Sequence, residues 1–324
     1  MNINISANPS ASTHLSLDSL AATGVWVPAL TPINADLYPD AHRYVTHVKW
    51  LLEQGCHGIV VFGSTGEANS FSVDERRALL EALLEAGIPA SKLMAGTGCC
   101  ALTDSVTLTS HAAVNGCDKV LVLPPFYYKA VSDEGIYRHY AEIIERVGDP
   151  KLKILLYHFP KLSGVPISLD LIERLLGSYP DNIAGIKDSS GDWNNTRALL
   201  ARFPGMAVFP GTETFLLDGL ENGAAGCISA TVNVNANAIR NVYDGYLQQS
   251  SHTAEQQAQI NSVRRVIEKT PLVPTLKKII ARMRQDPEWL RMRPPFVTHA
   301  PELTDAELTE LTDAGFVLPG AHTA

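Results

Sequence analysis

The chain has 324 residues, of which 45% are hydrophobic and 19% are charged. This composition is typical of a folded globular protein and excludes a disordered chain, and at about 150 residues per domain the length fits one large domain or two. Acidic residues outnumber basic ones by 34 to 26 and no run of Lys and Arg exceeds two, so the sequence does not look like that of a nucleic-acid-binding protein.

Signals for export, membrane insertion and disulfide pairing are missing from the sequence. The polar N-terminus lacks the basic start and apolar run of a signal peptide, and we expect residues 1–22 to form a flexible arm. No apolar run approaches the roughly 18 residues of a membrane span. The cysteine count is odd, at five, and no C-x-x-C pair occurs. We therefore expect a cytoplasmic protein with reduced thiols.

Eight short apolar runs are the predicted β-strands. Several are apolar throughout, which is typical of parallel strands buried on both faces. In chain order they are Val25–Leu30, Gly58–Phe62, Lys92–Gly96, Lys119–Leu123, Lys153–Tyr157, Ala184–Lys187, Ala207–Phe209 and Gly226–Ser229.

Amphipathic segments that alternate with these runs are the predicted helices. Ser72 begins a capping-box pattern that opens a helix through Ala86, and Ser168 precedes a helix over Leu169–Leu176. Eight β-α units in about 210 residues predict a (β/α)8 TIM barrel, which we place at residues 23–234. Residues 235–324 have only helical periodicity, so we expect the last barrel helix and a C-terminal helical appendix there.

A doubly wound sheet with a dinucleotide site is the alternative fold, because the residues from Gly96 to Ala101 match G-x-G-x-x-A. The acidic residue that binds the ribose should end the next strand, whereas Asp118 precedes it. We therefore interpret the two glycines as a tight strand-to-helix turn.

Lys187 ends the sixth predicted strand, and reactive groups in β/α barrels lie at the carboxyl ends of strands. It follows Gly185 on the same face of the strand, so its side chain is expected in the barrel mouth. Burial disfavours an ammonium, and a free amine can attack a ketone to form a Schiff base. The alternatives are a lysine that reaches the rim or pairs with Asp188.

Two further segments at strand ends contain groups suited to catalysis. Tyr157 ends the fifth strand and could relay a proton, although such a residue is often only a packed aromatic. Residues 63–67, with the sequence Gly-Ser-Thr-Gly-Glu, place two hydroxyls and backbone N–H groups where they could hold a carboxylate. Many β-α turns contain Gly and Ser, so this pattern alone is weak.

An aromatic loop follows the fourth strand, with the sequence Pro-Pro-Phe-Tyr-Tyr over residues 124–128. It could contribute to the site or to a subunit contact. The ten histidines are scattered without a metal-binding motif, so we expect no metal site.

In combination these segments resemble the dihydrodipicolinate synthase / N-acetylneuraminate lyase family of pyruvate-dependent class I aldolases, over about residues 24–297. The motifs that carry the resemblance are Gly63-Ser64-Thr65-Gly66-Glu67, Tyr127-Tyr128, Tyr157-x-x-Pro160-x-x-x-Gly164 and Gly185-Ile186-Lys187-x-Ser189.

The resemblance implies roles for these residues. Lys187 is similar to the Schiff-base lysine and Tyr157 to the proton-shuttling tyrosine. Residues 63–66 would bind the pyruvate carboxylate through Ser64, Thr65 and Gly66, and Thr65 would also link the two tyrosines. Tyr128 is similar to the tyrosine that crosses a dimer interface, and Ile228 to the apolar residue beside the pyruvate. The family implies a homotetramer, a small 2-oxo acid as substrate and no cofactor.

Differences from the synthases favour another branch of the family. Dihydrodipicolinate synthases have an arginine five positions after the catalytic tyrosine, and this chain has Leu162, which cannot bind a carboxylate. His158, Ser189 and Glu213 are candidates for binding the substrate tail.

The leading hypothesis is a lyase that reversibly cleaves a 2-oxo-3-deoxy-4-hydroxy acid to pyruvate and an aldehyde. A 4-hydroxy-tetrahydrodipicolinate synthase, a 2-keto-3-deoxy sugar acid dehydratase and a non-catalytic barrel that binds a small acid are the alternatives.

Overall fold

The structure, a computed structural model, describes residue 20, residues 22–297 and residues 299–319. Most of the predicted N-terminal arm, residues 1–22, therefore lies outside the described residues. Eight β-strands occur within one or two residues of the predicted bounds. They are β1 (Gly24–Pro28), β2 (Gly58–Val61), β3 (Leu93–Gly96), β4 (Lys119–Val122), β5 (Lys153–His158), β6 (Ile183–Asp188), β7 (Ala207–Pro210) and β8 (Gly226–Ile228).

All the strand pairs are parallel, in the order β7-β6-β5-β4-β3-β2-β1-β8. The Ala225 N–H, directly before β8, donates to the Val208 carbonyl of β7 at 2.9 Å and brings the two ends of the sheet together. The predicted TIM barrel is thus confirmed, and the carboxyl ends of all strands meet at one mouth.

Helices alternate with the strands around the barrel. In chain order they are α1 (Ala41–Glu53), α2 (Val73–Glu85), α3 (Leu102–Val114), α4 (Asp133–Val147), α5 (Pro160–Ser163), α6 (Leu169–Ser178), α7 (Trp193–Arg202), α8 (Leu216–Glu221) and α9 (Val232–Leu247). The Ser72 capping box is present as predicted, with Glu75 as its partner, and Ser168 caps α6 through the Leu171 N–H. Each cap satisfies backbone donors that the first helical turn leaves free.

The two faces of each strand serve different layers. One set of side chains fills the barrel interior and the other packs against the helices, as the alternation along a strand requires. The interior set is Trp26, Val60, Met94, Leu121, Leu155, Tyr157, Ala207, Phe209 and Ile228.

The turn between β3 and α3 explains the glycine pattern that suggested a dinucleotide site. A Cβ on Gly98 would lie 2.4 Å from the backbone nitrogen of Leu123, so only glycine fits against the end of β4. The Cys99 N–H donates to the Ser105 hydroxyl at 2.9 Å and closes the turn onto α3. The glycines therefore make the tight strand-to-helix turn.

The residues after α9 are helical, as predicted. They form α10 (Thr253–Ile267), α11 (Leu272–Arg284), a 3-10 turn (Pro287–Leu290) and α12 (Asp305–Asp313). The proposed domain boundary between residues 234 and 235 stays a prediction. It falls inside α9, which begins at Val232 and packs on β1. Within the described part of the chain, no helix has the length and apolar character needed to cross a bilayer.

Candidate active site

Lys187 and Tyr157 meet inside the barrel mouth. They are register partners on the adjacent strands β6 and β5, so both side chains leave the sheet on the same face. The Lys187 Nζ donates to the Tyr157 hydroxyl at 3.4 Å and lies 4.5 Å from the centre of the ring. The two residues are only 3% and 4% exposed. The structure therefore places a buried amine beside a phenol, and the roles expected for the two residues stay predictions.

Ser64, in the turn after β2, contacts Tyr157 in the barrel mouth. Its hydroxyl lies 3.2 Å from the Tyr157 hydroxyl, and either group can donate. The chain Lys187–Tyr157–Ser64 thus links three strand ends through hydrogen bonds. The expected link through Thr65 stays a prediction, although Thr65 is buried next to Ser64.

The backbone of this turn is only partly available to a ligand. The N–H groups of Gly66 and Ala68 both donate to the Gly63 carbonyl, at 3.1 and 3.3 Å. In the described part of the chain, the Ser64 and Thr65 amides donate to no other backbone group. A carboxylate would therefore meet the hydroxyls and amides of these two residues rather than the Gly66 N–H.

Gly66 instead shapes the turn. A Cβ at this position would lie 2.6 Å from the Ala29 carbonyl oxygen, which leaves no room for a side chain. The Gly66 carbonyl accepts a hydrogen bond from the Thr31 hydroxyl at 2.9 Å. Close approach to the segment after β1 thus fixes the turn over the barrel mouth.

The space beside Ser64 and Tyr157 is a small cavity. Its other walls include Phe62, Gly96 and Gly98. Ile228 is fully buried in the apolar cluster that also contains Tyr157. A small group in this cavity would therefore lie among apolar side chains, beside the hydroxyls of Ser64 and Tyr157.

Asp188 faces away from Lys187, toward α7. Its carboxylate accepts hydrogen bonds from the Thr196 hydroxyl at 2.7 Å and the Asn195 amide at 3.0 Å. The Ser190 N–H donates a hydrogen bond to the other carboxylate oxygen of Asp188 at 3.0 Å. The alternative in which Lys187 pairs with Asp188 is therefore wrong, because consecutive strand residues point to opposite faces.

His158 also faces the helices. Its Nδ1 accepts a hydrogen bond from the Ile167 N–H at 3.1 Å, in the segment before α6. Burial lowers the pKa of His158, and the Asp188 charge only partly offsets this, so the ring is neutral at pH 7. This packing offers no support for the suggestion that His158 touches the substrate tail.

Glu213 is buried after β7 and surrounded by donors. Its carboxylate accepts hydrogen bonds from the Ser229 and Thr231 hydroxyls and from Arg264 of α10, the last at 3.0 Å. Both carboxylate oxygens of Glu213 therefore already accept hydrogen bonds within the protein. This environment is typical of a structural carboxylate and not of one that is available to bind a sugar hydroxyl. Ser189 is half-buried at the rim, where its hydroxyl fills the space beside Gly211.

The aromatic loop lies at the surface. Tyr127 and Tyr128 are each 74% exposed, and their rings contact edge to face at 5.2 Å between centroids. Lys129 ties the loop down by donating to the carbonyls of Phe126 and Ser163, the latter at 2.6 Å. Tyr128 is therefore held in an exposed position on a fixed loop.

Arg76 was not identified from the sequence. It is buried near the mouth, where Nη2 donates to the Gly96 carbonyl at 2.5 Å and Nη1 to the Cys99 sulfur at 3.2 Å. Burial lowers its pKa, although the guanidinium stays charged. The sequence does not distinguish the buried Arg76 from its neighbour Arg77. Both lie in the same predicted helix and differ only in the face of α2 that they occupy.

A buried ion pair beneath the turn was also missed. Lys277 Nζ of α11 lies 2.5 Å from the Glu67 carboxylate, and both side chains are completely shielded from solvent.

Across residues 20, 22–297 and 299–319, no group of three His, Cys, Asp or Glu side chains is placed to hold a metal ion.

Comparison with known proteins shows similarity over nearly the whole chain. The sequence profile of the dihydrodipicolinate synthetase family matches residues 21–313. An uncharacterized DapA-like lyase of Chloroflexus aurantiacus is 34% identical over 266 residues, which are 82% of this chain and 88% of the relative. A 4-hydroxy-tetrahydrodipicolinate synthase of Rhizobium meliloti is 34% identical over 210 residues, which are 64% of this chain and 70% of the relative.

A solved structure has the same architecture. The dihydrodipicolinate synthase of Agrobacterium tumefaciens str. C58 matches with a TM-score of 0.80 and 27% sequence identity, over 90% of this chain and 98% of the other. The similarity thus includes the C-terminal helices as well as the barrel.

Proposed function

This chain belongs to the dihydrodipicolinate synthetase family, and on that premise we propose that it is a carbon–carbon lyase that uses Lys187 as a Schiff base. It reversibly cleaves a 2-oxo-3-deoxy-4-hydroxy acid to pyruvate and an aldehyde. The observation that carries the proposal is the buried Lys187 amine, whose Nζ lies 3.4 Å from the Tyr157 hydroxyl.

The first step forms an imine. The Lys187 amine attacks the C2 carbonyl of the 2-oxo acid, and the carbinolamine takes up a proton and loses water to leave a protonated iminium. The Tyr157 hydroxyl, within hydrogen-bond reach of Nζ, moves protons between the amine and the departing oxygen.

The second step breaks the bond between C3 and C4. The iminium accepts the electron pair of that bond and becomes an enamine, while the C4 hydroxyl loses its proton and becomes the carbonyl of the released aldehyde. Tyr157 accepts that proton while its own proton passes through Ser64, which lies 3.2 Å away, to the substrate carboxylate that Ser64 binds. The same relay then returns one proton to C3 of the enamine, and hydrolysis of the imine by water releases pyruvate and restores the amine.

Substrate orientation comes from the turn at residues 63–66. The hydroxyls and amides of Ser64 and Thr65 hold the carboxylate, and Ile228 packs against the methylene carbon. Fixing the carboxylate places C2 opposite the amine, which converts an encounter into an intramolecular reaction.

The presence of Leu162 supports a second substrate fragment that has no carboxylate. It is 66% exposed on α5, directly after Lys161, and its side chain cannot donate hydrogen bonds. A hydroxylated aldehyde fragment is therefore the preferred product. Ser189 at the rim is a candidate for contacting its hydroxyls, whereas the packing of His158 and Glu213 supports a role in the scaffold for these two residues.

A 4-hydroxy-tetrahydrodipicolinate synthase is the second candidate, because the Rhizobium meliloti relative has that name. It would condense pyruvate with aspartate semialdehyde through the same enamine. A dehydratase would also use the Lys187 imine but would expel a hydroxyl group instead of an aldehyde.

The same proposal includes a homotetramer in the cytoplasm with sites shared between subunits. Tyr128 supports it, since a tyrosine that is 74% exposed is available to a neighbouring subunit. Sedimentation velocity tests the assembly, and unchanged activity in a Tyr128→Phe variant would contradict a shared site.

Borohydride trapping tests the reaction. Incubation with pyruvate and borohydride should add the mass of the reduced pyruvate to Lys187, and Lys187→Met should take up no label. An unmodified Lys187 in the folded wild-type protein would overturn the Schiff-base mechanism. Retro-aldol release of pyruvate from a panel of sugar acids, compared with consumption of aspartate semialdehyde, then decides the branch.

A further inference from the structure

The Glu67–Lys277 pair joins two parts of the molecule that are far apart in sequence. Glu67 ends the turn that carries Ser64 and Thr65, and Lys277 lies in the middle of α11, in the C-terminal helices. Lys277 also donates to the Arg291 carbonyl at 3.0 Å, which fixes its Nζ from the other side. The turn over the barrel mouth is thus anchored to a helix outside the barrel.

Burial makes this pair costly to form and costly to break. Desolvation lowers the pKa of Lys277, and the Glu67 carboxylate counteracts that effect. Removing one partner of such a pair leaves an uncompensated charge in the interior, whereas an apolar pair of similar volume would satisfy packing alone. Stability therefore does not by itself explain why charges occupy these two positions.

The backbone at Glu67 shows what the pair holds. Glu67 has a φ of 59°, in the left-handed region that a residue with a side chain seldom adopts. This conformation directs the chain back after Thr65 and lets the Ala68 N–H reach the Gly63 carbonyl at 3.3 Å. The contact with Lys277 fixes the Glu67 side chain and so stabilises the reversal.

A second contact grips the same loop. Arg293 donates to the Ser70 carbonyl at 2.6 Å and to the Glu75 carboxylate at 2.9 Å. Its guanidinium also lies 4.6 Å from the centre of the Phe71 ring. The segment from Lys277 to Arg293 therefore holds the loop at both its start and its end.

We propose that Glu67 and Lys277 are positioning residues that hold Ser64 and Thr65 in the conformation that binds the carboxylate of the 2-oxo acid. The inference deepens the proposed function and rests on it. The C-terminal helices thereby set the affinity for the 2-oxo acid, although none of them contributes a group to the reacting centre.

Two variants and one matched control test this inference. Glu67→Gln keeps the size of the side chain and removes its charge, and Lys277→Met removes the cation. Lys278→Met is the control, because Lys278 is the next residue of α11 and pairs with Glu307, away from the turn. Lys277→Met risks misfolding, so Glu67→Gln is the deciding variant.

The first readout is the pyruvate concentration that gives half-maximal borohydride labelling of Lys187. It should rise about 10- to 100-fold in Glu67→Gln, since an error of about 1 Å in placement costs that much. Labelling at saturating pyruvate should remain complete, because Lys187 and Tyr157 are untouched. Lys278→Met should keep the wild-type value, and an unchanged value in Glu67→Gln would overturn the inference.

The second readout does not depend on the proposed function. Hydrogen exchange of the peptide over residues 63–71, measured relative to a β5 peptide of the same variant, should be faster in Glu67→Gln than in Lys278→Met. If pyruvate fails to label even the wild-type protein, the proposed function fails, and exchange still decides whether the pair holds the turn. Equal exchange in the two variants would show that it does not.

Discussion

At the scale of single residues, the proposed chemistry depends on the hydrogen bond between Lys187 and Tyr157. In the proposed mechanism Lys187 is the nucleophile, and Tyr157 is the group through which protons reach it. The two roles are separable, because a buried amine still adds to a ketone when the neighbouring phenol is removed, only more slowly.

Tyr157→Phe should therefore form the imine but turn over slowly. We expect kcat to fall about 10²- to 10⁴-fold, which is the usual contribution of a positioned acid–base group. Labelling of Lys187 by pyruvate and borohydride should still reach completion at long times. A variant with wild-type kcat would show that Tyr157 does not transfer the proton.

The strand-end residues were predictable from sequence, and their orientations only partly so. Lys187 and Tyr157 each end an apolar run, and that position alone indicates a residue of the barrel mouth. His158 and Glu213 look equally suitable in sequence, yet one packs toward α6 and the other is enclosed by hydroxyls and Arg264. No local pattern reports such long-range contacts, and the same holds for Glu67 and Lys277.

At the scale of elements, the strands were predictable because parallel strands in a barrel are apolar on both faces. The predicted bounds differ from the observed ones by one or two residues, where a strand passes into its turn. The turns themselves depend on close backbone approaches, and Gly98 against the end of β4 is an example that lies within the G-x-G-x-x-A pattern.

Gly98→Ala should destabilise the barrel at this turn. The new Cβ would lie 2.4 Å from the Leu123 nitrogen, so β4 or the turn must shift. We expect a loss of about 1–3 kcal/mol in the free energy of unfolding, as for other overpacked sites. Urea denaturation measures it.

Gly177→Ala is the matched control for this prediction. Gly177 lies in α6, and among the described residues no heavy atom outside its chain neighbours and its own helix backbone lies within 4 Å of the position its Cβ would take. The same substitution there should be stabilising by about 0.5–1 kcal/mol, because alanine favours a helix. Equal effects at the two positions would contradict the steric explanation.

At the scale of the whole molecule, buried neutral histidines connect stability to pH. Burial is the main cause that lowers the pKa of His47, to about 3, and it lowers the pKa of His139 to about 4. In the unfolded chain both rings have a pKa of about 6.5. The unfolded state therefore binds more protons between about pH 4 and 6.5, and stability falls as the pH falls through this range.

The expected slope is about 1.4 kcal/mol per pH unit for each of these histidines near pH 5. His139→Leu should reduce by one the number of protons that the unfolded state binds in excess of the folded state. The slope of stability against pH should then fall by about 1.4 kcal/mol per pH unit. Chemical denaturation at several pH values between 5 and 7 measures both slopes. Parallel curves for the wild-type protein and the variant would mean that His139 is already protonated in the folded state.

The alternation along β5 and β6 has a consequence for how this barrel can change. In each strand a residue of the proposed reacting centre is followed at once by one that bonds to a segment outside the barrel. His158 follows Tyr157 and contacts Ile167, and Asp188 follows Lys187 and contacts α7. Inserting or deleting one residue upstream in either strand would exchange these positions and direct an imidazole or a carboxylate inward. New specificities on this scaffold should therefore arise through loops of variable length, while the spacing within the strands stays constant.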